Sequence, residues 1–250
     1  MLTQERYAVI LQALGERGAV TVGELTELLR CSESTVRRDL AAMADEGLLN
    51  KVHGGATALE NDCLRREFGV EIKYGLHAEE KRKIGRAASL LVHPGDFVFL
   101  DAGTTTESMV DTLDCREAVY VTNGIQLARR LAARGLTVLT PAGRVKSVTD
   151  AIVGSRAVES FSAYHFTIGF FGVNGVSLTG GYSTPDEEEA QVKKAAMARC
   201  RRRVILADPS KFGGVSAVTF GALPDAEILT TSLPDPQYAA ETTVMEVDKP

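Results

Sequence analysis

The segment Asp101-Ala102-Gly103-Thr104-Thr105-Thr106 has the residue types that an anion needs. A glycine lets the backbone come close, and three threonines offer hydroxyls beside their amides. An apolar run at 97–100 precedes it and a helix near 105–113 is predicted to follow. The amides then lie at a positive helix end, a ready site for a phosphate. Similar glycine-bearing polar turns recur at Thr122-Asn123-Gly124, Ala142-Gly143-Arg144, Gly172-Val173-Asn174-Gly175 and Asp208-Pro209-Ser210-Lys211-Phe212-Gly213. Lys211 supplies a cation for phosphate. Asp186 and Glu189 are acceptors for sugar hydroxyls, and Lys193 lies one turn beyond Glu189. Each residue alone is ordinary loop or helix-end chemistry. Their recurrence at strand ends points to one small polar ligand.

The elements that position these residues alternate. The pattern predicts a helix over 78–91, a turn at His93-Pro94-Gly95-Asp96, and strands at 97–100, 118–121, 136–140, 166–171 and 204–207. Helices are predicted between them near 105–113, 125–134, 154–162 and 187–200, with strand-like runs at 217–222 and 228–231. Such alternation gives an α/β domain with a mostly parallel sheet covered on both faces. The carboxyl ends of its strands converge on one crevice. Around helix 187–200, the acidic run at 186–189 and the arginines at 199–203 fit the two ends of the helix dipole.

The N-terminal quarter has a different chemistry. Tyr7, Ile10, Leu11 and Leu14 share one face of a helix over 4–16, which Gly18 breaks. Thr21 caps a second helix with Leu25, Leu28 and Leu29 on its apolar face. Arg30 and Cys31 form a short turn, and Ser32 caps a third helix whose Val36, Leu40 and Met43 make a buried stripe. Gly47 suits the left-handed cap at its end. Leu48, Leu49 and Val52, ending at Gly54-Gly55, suit a two-stranded wing. This is a winged helix-turn-helix, in which the start of the last helix meets base edges in the major groove. Ser34, Thr35 and Arg38 are assigned to that face beside the capping Ser32. Arg37, Lys51 and His53 are assigned to phosphates, which position without specifying sequence.

Composition bounds the rest. The chain has 250 residues, 44% hydrophobic and 24% charged, as in an ordinary globular protein. Net charge is −5, and residues 1–56 hold six Arg or Lys against eight Asp or Glu, a net of −2. DNA affinity must therefore come from a local cluster, Arg37, Arg38 and Lys51, and from dimerisation. The four cysteines and four histidines are scattered, so neither disulfides nor a metal site is expected. No apolar run reaches the roughly 18 residues of a membrane span, and the N-terminus lacks the layout of a secretory signal. The cytoplasm is the expected compartment. The expected organisation is a DNA-binding domain at 1–57, a linker with one short helix at 58–77, and a ligand-binding domain at 78–250.

Taken together, TVRRDL followed by VHGGA, then LDAGTTT, VTNG, GVNG, the run Asp186, Glu189, Ala190, Lys193, and DPSKFG resemble the DeoR family of bacterial transcriptional regulators, in order from residue 1 to about 231. MLTQER, SEST, LDAGTTT and LADPSKFG are similar to the fructose-operon repressors within it. The resemblance implies a winged helix-turn-helix joined to a sensor domain related to ribose 5-phosphate isomerase. It also implies repression of a sugar-catabolic operon, relieved by a phosphorylated sugar, here fructose 1-phosphate. The implied phosphate loop is Gly103, Thr104, Thr105 and Thr106, supported by Asp101, Asn123, Asp186, Glu189, Lys193 and Lys211. One departure is Ala142-Gly143, where the family carries paired glycines. The expected partners are operator DNA, the sugar phosphate and further copies of the chain, with no cofactor and no membrane. The second reading is a sugar-phosphate isomerase with an added N-terminal domain. Against it, no residue has an obvious activating partner in sequence, so no catalytic group is assigned.

Overall fold

The computed structural model describes residues 2–59 and 70–247 and divides into two compact units, Met1–Ala78 and Glu79–Pro250. The first contains α1 (Thr3–Arg17), β1 (Ala19–Thr21), α2 (Val22–Leu29), α3 (Glu33–Asp45), β2 (Asn50–Val52), β3 (Gly55–Thr57) and α4 (Val70–Gly75). The Thr21 hydroxyl accepts from Glu24 N–H at 3.2 Å, while Glu24 Oε2 accepts from Thr21 N–H at 2.7 Å, a reciprocal cap. Arg30 takes a left-handed conformation between α2 and α3. Gly47, with φ 69°, ends the run behind α3. Val36, Leu40 and Met43 are buried with Ile10, Leu14 and Leu25 in one core.

The wing has three strands instead of the two expected, in the order β1-β3-β2. The extra strand, β1, is three residues long and precedes α2. It is too short to leave a sequence period, and pairing with β3 creates it. Of the expected linker, residues 60–69 lie outside the described residues, while 70–75 form α4. The core of this unit also holds a charge pair that its apolar stripes do not announce. Asp39, facing inward on α3, accepts from Arg6 Nε at 2.6 Å and from Arg6 Nη2 at 2.9 Å. That contact raises the Arg6 pKa against the opposing effect of burial.

The second unit begins with α5 (Ala78–Ser89), β4 (Phe97–Leu100), α6 (Thr104–Glu107), β5 (Val119–Thr122), α7 (Ile125–Ala133) and β6 (Thr137–Leu139). Then come β7 (Arg144–Lys146), β8 (Ala151–Val153), α8 (Ser155–Ser160), β9 (Phe166–Gly172), β10 (Gly175–Ser177) and β11 (Gly181–Thr184). The chain ends with α9 (Glu187–Met197), β12 (Cys200–Leu206), β13 (Val218–Gly221), β14 (Glu227–Thr230), α10 (Tyr238–Glu241) and β15 (Val244–Glu246). Seven strands form an all-parallel sheet ordered β15-β14-β12-β9-β4-β5-β6.

Both faces are covered. Phe99, Phe166 and Phe171 pack with α8 and α9 on one side. Val98, Leu100, Ile168 and Phe170 pack with α5, the segment after α6, and α7 on the other. The strand interiors are therefore nearly continuous apolar runs.

Several sequence expectations change here. Arg201, Arg202 and Arg203 lie in β12, beyond the end of α9, and of these Arg203 complements its carboxyl end, donating from Nε to the last-turn carbonyl of Met197 at 2.8 Å. Arg202 forks onto Glu227 at 2.9 and 2.8 Å, and Arg203 also bonds Asp225 O. The run at 217–222 joins a separate antiparallel sheet, β10-β11-β13. The β7-β8 hairpin and β15 have three-residue strands that pairing alone defines.

Replacing Asp39 with Ala leaves the Arg6 guanidinium without its inward partner. This should destabilise the first unit by about 3 kcal/mol. Hydrogen exchange should accelerate across α1 and α3 while β9 and β12 keep their protection.

Candidate functional site

The parallel sheet starts at β4, runs outward through β5 and β6, then returns to place β9 on the other side of β4. The neighbours β4 and β9 therefore leave their carboxyl ends in opposite directions. That is the topological switch point, where open α/β sheets bind ligands. Asp101 ends β4 and Gly172 ends β9. Asp101 Oδ2 accepts from Gly172 N–H at 3.1 Å and contacts Lys193 Nζ, which also donates to Gly172 O at 3.0 Å. Asp101 and Lys193 are both buried. Lys193 lies 5.4 Å from the centre of the Phe220 ring, a cation–π distance. Burial pushes the Asp101 carboxyl above its ordinary range; Lys193 opposes this, and the nearby Glu189 charge adds to it.

Beyond Asp101 the chain turns into α6. The Thr106 hydroxyl lies 2.6 Å from Asp101 O and 2.7 Å from Gly103 O, which closes the turn. Among the described residues, the amides of Gly103, Thr104, Thr105 and Thr106 and the hydroxyls of Thr104 and Thr105 make no hydrogen bond within the protein. A Cβ at Gly103 would meet only Thr106 Oγ1, at an ordinary 3.5 Å. Packing within the chain therefore does not require glycine there. Asn123 braces this turn: its Oδ1 accepts from Ala102 N–H at 2.9 Å, and its Nδ2 donates to Ile152 O at 3.3 Å. Arg130 on α7 holds the far end, bonded to Glu107 at 2.9 Å and Asp111 at 2.7 Å.

Asp186 and Glu189 have partners that sequence reading missed. Asp186 caps α9 by accepting from Glu189 N–H at 2.9 Å. Lys146, from the β7-β8 hairpin, lies 3.0 Å from Asp186 and 3.2 Å from Glu189. The Thr149 hydroxyl donates to Glu189 at 2.7 Å, and Arg144 pairs with Glu188. Burial raises the Asp186 carboxyl, but the Glu189 N–H and Lys146 outweigh it and leave it below its ordinary value. Asp101, Lys193, Glu189, Lys146 and Asp186 thus form a run of alternating charge. No sequence signal ties residues 144–149 to α9, about 40 positions away; the hairpin brings them there.

Lys211 follows β12, two strands from β4, and pairs with Asp208 at 3.9 Å. At the departure noted above, Ala142 is exposed, and its N–H donates to Ser160 Oγ at 3.1 Å. Gly143 has φ 146°, and a Cβ there would fall 2.7 Å from Ile152 Cγ2 and Val153 O. Only the second of the two positions requires glycine.

On the first unit, Ser32 Oγ accepts from Thr35 N–H and lies 2.9 Å from the Ser34 hydroxyl and 3.0 Å from that of Thr35. Arg37 pairs with Glu33 at 3.2 Å in solvent. The side chains of Arg38, Lys51 and His53 are exposed and pair with no other described residue.

Two family models match the chain, the DeoR-like helix-turn-helix domain over residues 6–62 and the DeoR C terminal sensor domain over residues 76–232. The chain belongs to the DeoR family. It is a helix-turn-helix transcriptional regulator with a sensor domain. Over its full length and theirs it is 38% identical to the uncharacterized HTH-type transcriptional regulator FruR of Bacillus subtilis. It is 33% identical to a putative aga operon transcriptional repressor of Escherichia coli, over 84% of this chain and 79% of that one. It is 31% identical to the lactose phosphotransferase system repressor of Streptococcus mutans, over 94% of each. Distant solved structures include a ribose 5-phosphate isomerase from Methanocaldococcus jannaschii, with TM-score 0.41 and 17% identity over 54% of each chain. Among the described residues, no helix is long and apolar enough to cross a membrane, and no cluster of His, Cys, Asp and Glu could hold a metal ion.

Asp186→Ala removes both the cap of α9 and a partner of Lys146, which should cost about 1–2 kcal/mol. The folded-state pKa lies below the unfolded one, so the carboxylate contributes fully above the unfolded value and is lost as pH falls through the folded value. Urea unfolding should therefore show a constant gap between wild type and variant at neutral pH. The gap should narrow below about pH 4.

Proposed function

We propose that this regulator represses a sugar-catabolic operon and releases its operator when a phosphorylated sugar, fructose 1-phosphate, occupies the crevice between β4 and β9. The reading rests chiefly on the unbonded amides of Gly103, Thr104, Thr105 and Thr106 at a switch point braced by the buried Asp101–Lys193 pair. A phosphate supplies the acceptors that four converging N–H groups lack. Asp101 and Asn123 hold the loop's shape, Glu189 and Asp186 face the sugar hydroxyls, and Lys211 adds charge from the end of β12. The choice of fructose rests on the motifs similar to those of fructose-operon repressors, MLTQER, SEST, LDAGTTT and LADPSKFG. Repression is the role printed in the names of two relatives, a putative repressor of the aga operon and a repressor of the lactose phosphotransferase system.

Operator recognition falls to Ser34, Thr35 and Arg38 at base edges, beside the capping Ser32. Arg37, Lys51 and His53 meet phosphates. The unit's net charge of −2 over residues 1–56 favours a homo-oligomer in the cytoplasm that reads two half-sites, roughly 34 Å apart or multiples of that. Asp101 and Lys193 are in direct contact and neutralise each other, which leaves neither poised as an isomerase base.

Arg38→Ala should weaken binding to the preferred operator by about 1–3 kcal/mol and relax its sequence preference. Lys51→Ala should weaken all duplexes alike and reduce the salt slope by about one. Unaltered preference of Arg38→Ala in competition gel shifts would exclude the helix assignment.

In a thermal-shift panel, fructose 1-phosphate should raise the melting temperature by mass action and fructose should not. Lys211→Ala should blunt that rise without loss of DNA binding. A sugar that stabilises equally well without its phosphate would overturn the site, and aldose–ketose turnover would establish the enzyme reading.

A further inference from the structure

The connection between the two units is short on both sides. α4 ends at Gly75 in the first unit and α5 begins at Ala78, one residue before the second unit starts at Glu79, so two residues join the helices. One of these, His77, has φ 50°, a left-handed conformation unusual for a side-chain-bearing residue. α4 is held tightly to the DNA-binding unit. A Cβ on Gly75 would lie 2.4 Å from Ala8 Cβ on α1, and Leu76 packs on that unit's core. α1 in turn grips α3 through Arg6 and Asp39.

α5 is held equally tightly to the residue after α6. A Cβ on Gly85 would lie 2.3 Å from Ser108 Oγ and 2.6 Å from Ser108 C, so backbone meets backbone there with no slack. The Ser108 hydroxyl sits between two carbonyls, 2.6 Å from Lys81 O in α5 and 2.5 Å from Thr105 O in the anion loop. A hydroxyl has one hydrogen to donate. It can satisfy α5 or the loop, but not both at once.

We propose that Ser108 is the positioning residue that carries occupancy of the anion loop into α5, and through Leu76-His77 into α4 and the DNA-binding unit. This rests on the sugar-phosphate reading of the Gly103–Thr106 segment. The Thr105 carbonyl and the Thr106 N–H belong to one peptide group. An anion that accepts from that N–H polarises the group and makes Thr105 O the stronger acceptor. The Ser108 hydrogen then settles on Thr105 O and the bond to Lys81 O is given up. α5 loses the polar tie nearest the anion loop while Gly85 still touches Ser108 and Ser89 Oγ stays 2.9 Å from Thr112 Oγ1. The two hydroxyl orientations are the two states that the effector biases, which is what a coupling mechanism requires.

Ser108→Ala removes the hydrogen and leaves the Gly85 contact. Calorimetry should give a fructose 1-phosphate affinity within about threefold of wild type, and DNA affinity without sugar should also stay within about threefold. The probe is a duplex selected by the wild-type protein from a random-sequence pool. The sugar's effect on DNA affinity should fall from about tenfold or more in the wild type to under about threefold in the variant. A Ser108→Ala protein that binds sugar and releases DNA as the wild type does overturns the proposal. So does one whose sugar affinity falls in step with its release.

A second variant needs no ligand. Gly85→Ala wedges α5 away from Ser108 and should change DNA affinity without sugar by about tenfold or more, with cooperative melting retained. Unchanged affinity in a cooperatively melting Gly85→Ala protein overturns the relay. If the wild type binds no fructose 1-phosphate by calorimetry, the effector reading alone fails, and the Gly85→Ala measurement still decides the relay.

Discussion

The sensor unit is organised around one buried contact, Lys193 with Asp101 across the mouth of β4 and β9. Withdrawing two charges from water costs several kcal/mol per ion unless geometry and further hydrogen bonds compensate. Gly172 provides both kinds of compensation, its N–H to the carboxylate and its carbonyl to the ammonium. The pair therefore ties two strands and α9 together at the point where the chain reverses direction. The proposed anion loop, residues 103–106, springs from Asp101 itself, so its position follows from that contact. The acidic start of α9 extends the same arrangement through Lys146, which fastens the β7-β8 hairpin to that helix.

A second constraint acts on the DNA-binding unit. Its charge balance is unfavourable for a polyanion, and Asp39 stands directly behind Arg37 and Arg38. The structure turns Asp39 inward onto Arg6 and leaves the arginines on the opposite, solvent-facing side of α3. One carboxylate thus braces the helix from within without facing the duplex. Under the proposed operator reading, affinity depends on a few cations at the start of α3 and on the wing, and is sensitive to how copies of the unit are arranged on the duplex. That sensitivity is what a sensor domain can use.

The parts of the fold that the sequence announced were those with a period or a cap. Thr21 and Ser32 cap their helices, Gly47 ends α3 with positive φ, and β4 runs over the four residues expected. What it hid were three-residue strands. β1, β7, β8 and β15 have no alternation to read, and cross-strand pairing alone defines them. The arginines of β12 divide because the helix ends at Met197: Arg203 reaches back to that last carbonyl, while Arg202 faces Glu227 on the neighbouring strand. Lys146 and Thr149 went unnoticed because they carry their meaning only opposite Glu189.

By itself the sequence determined the two kinds of unit, the order of their main elements, and the residue types at the proposed anion loop and the proposed DNA-facing helix, because propensity, capping and periodicity are local. It carried the family through motifs that are each weak and jointly specific. Only tertiary structure decided which of those residues meet. The strand order brings Asp101 to Gly172 and Lys193, the hairpin brings Lys146 to Asp186, and a missing Cβ at Gly85 lets α5 rest on Ser108. Those contacts join positions far apart in the chain, and no local preference of either partner encodes them.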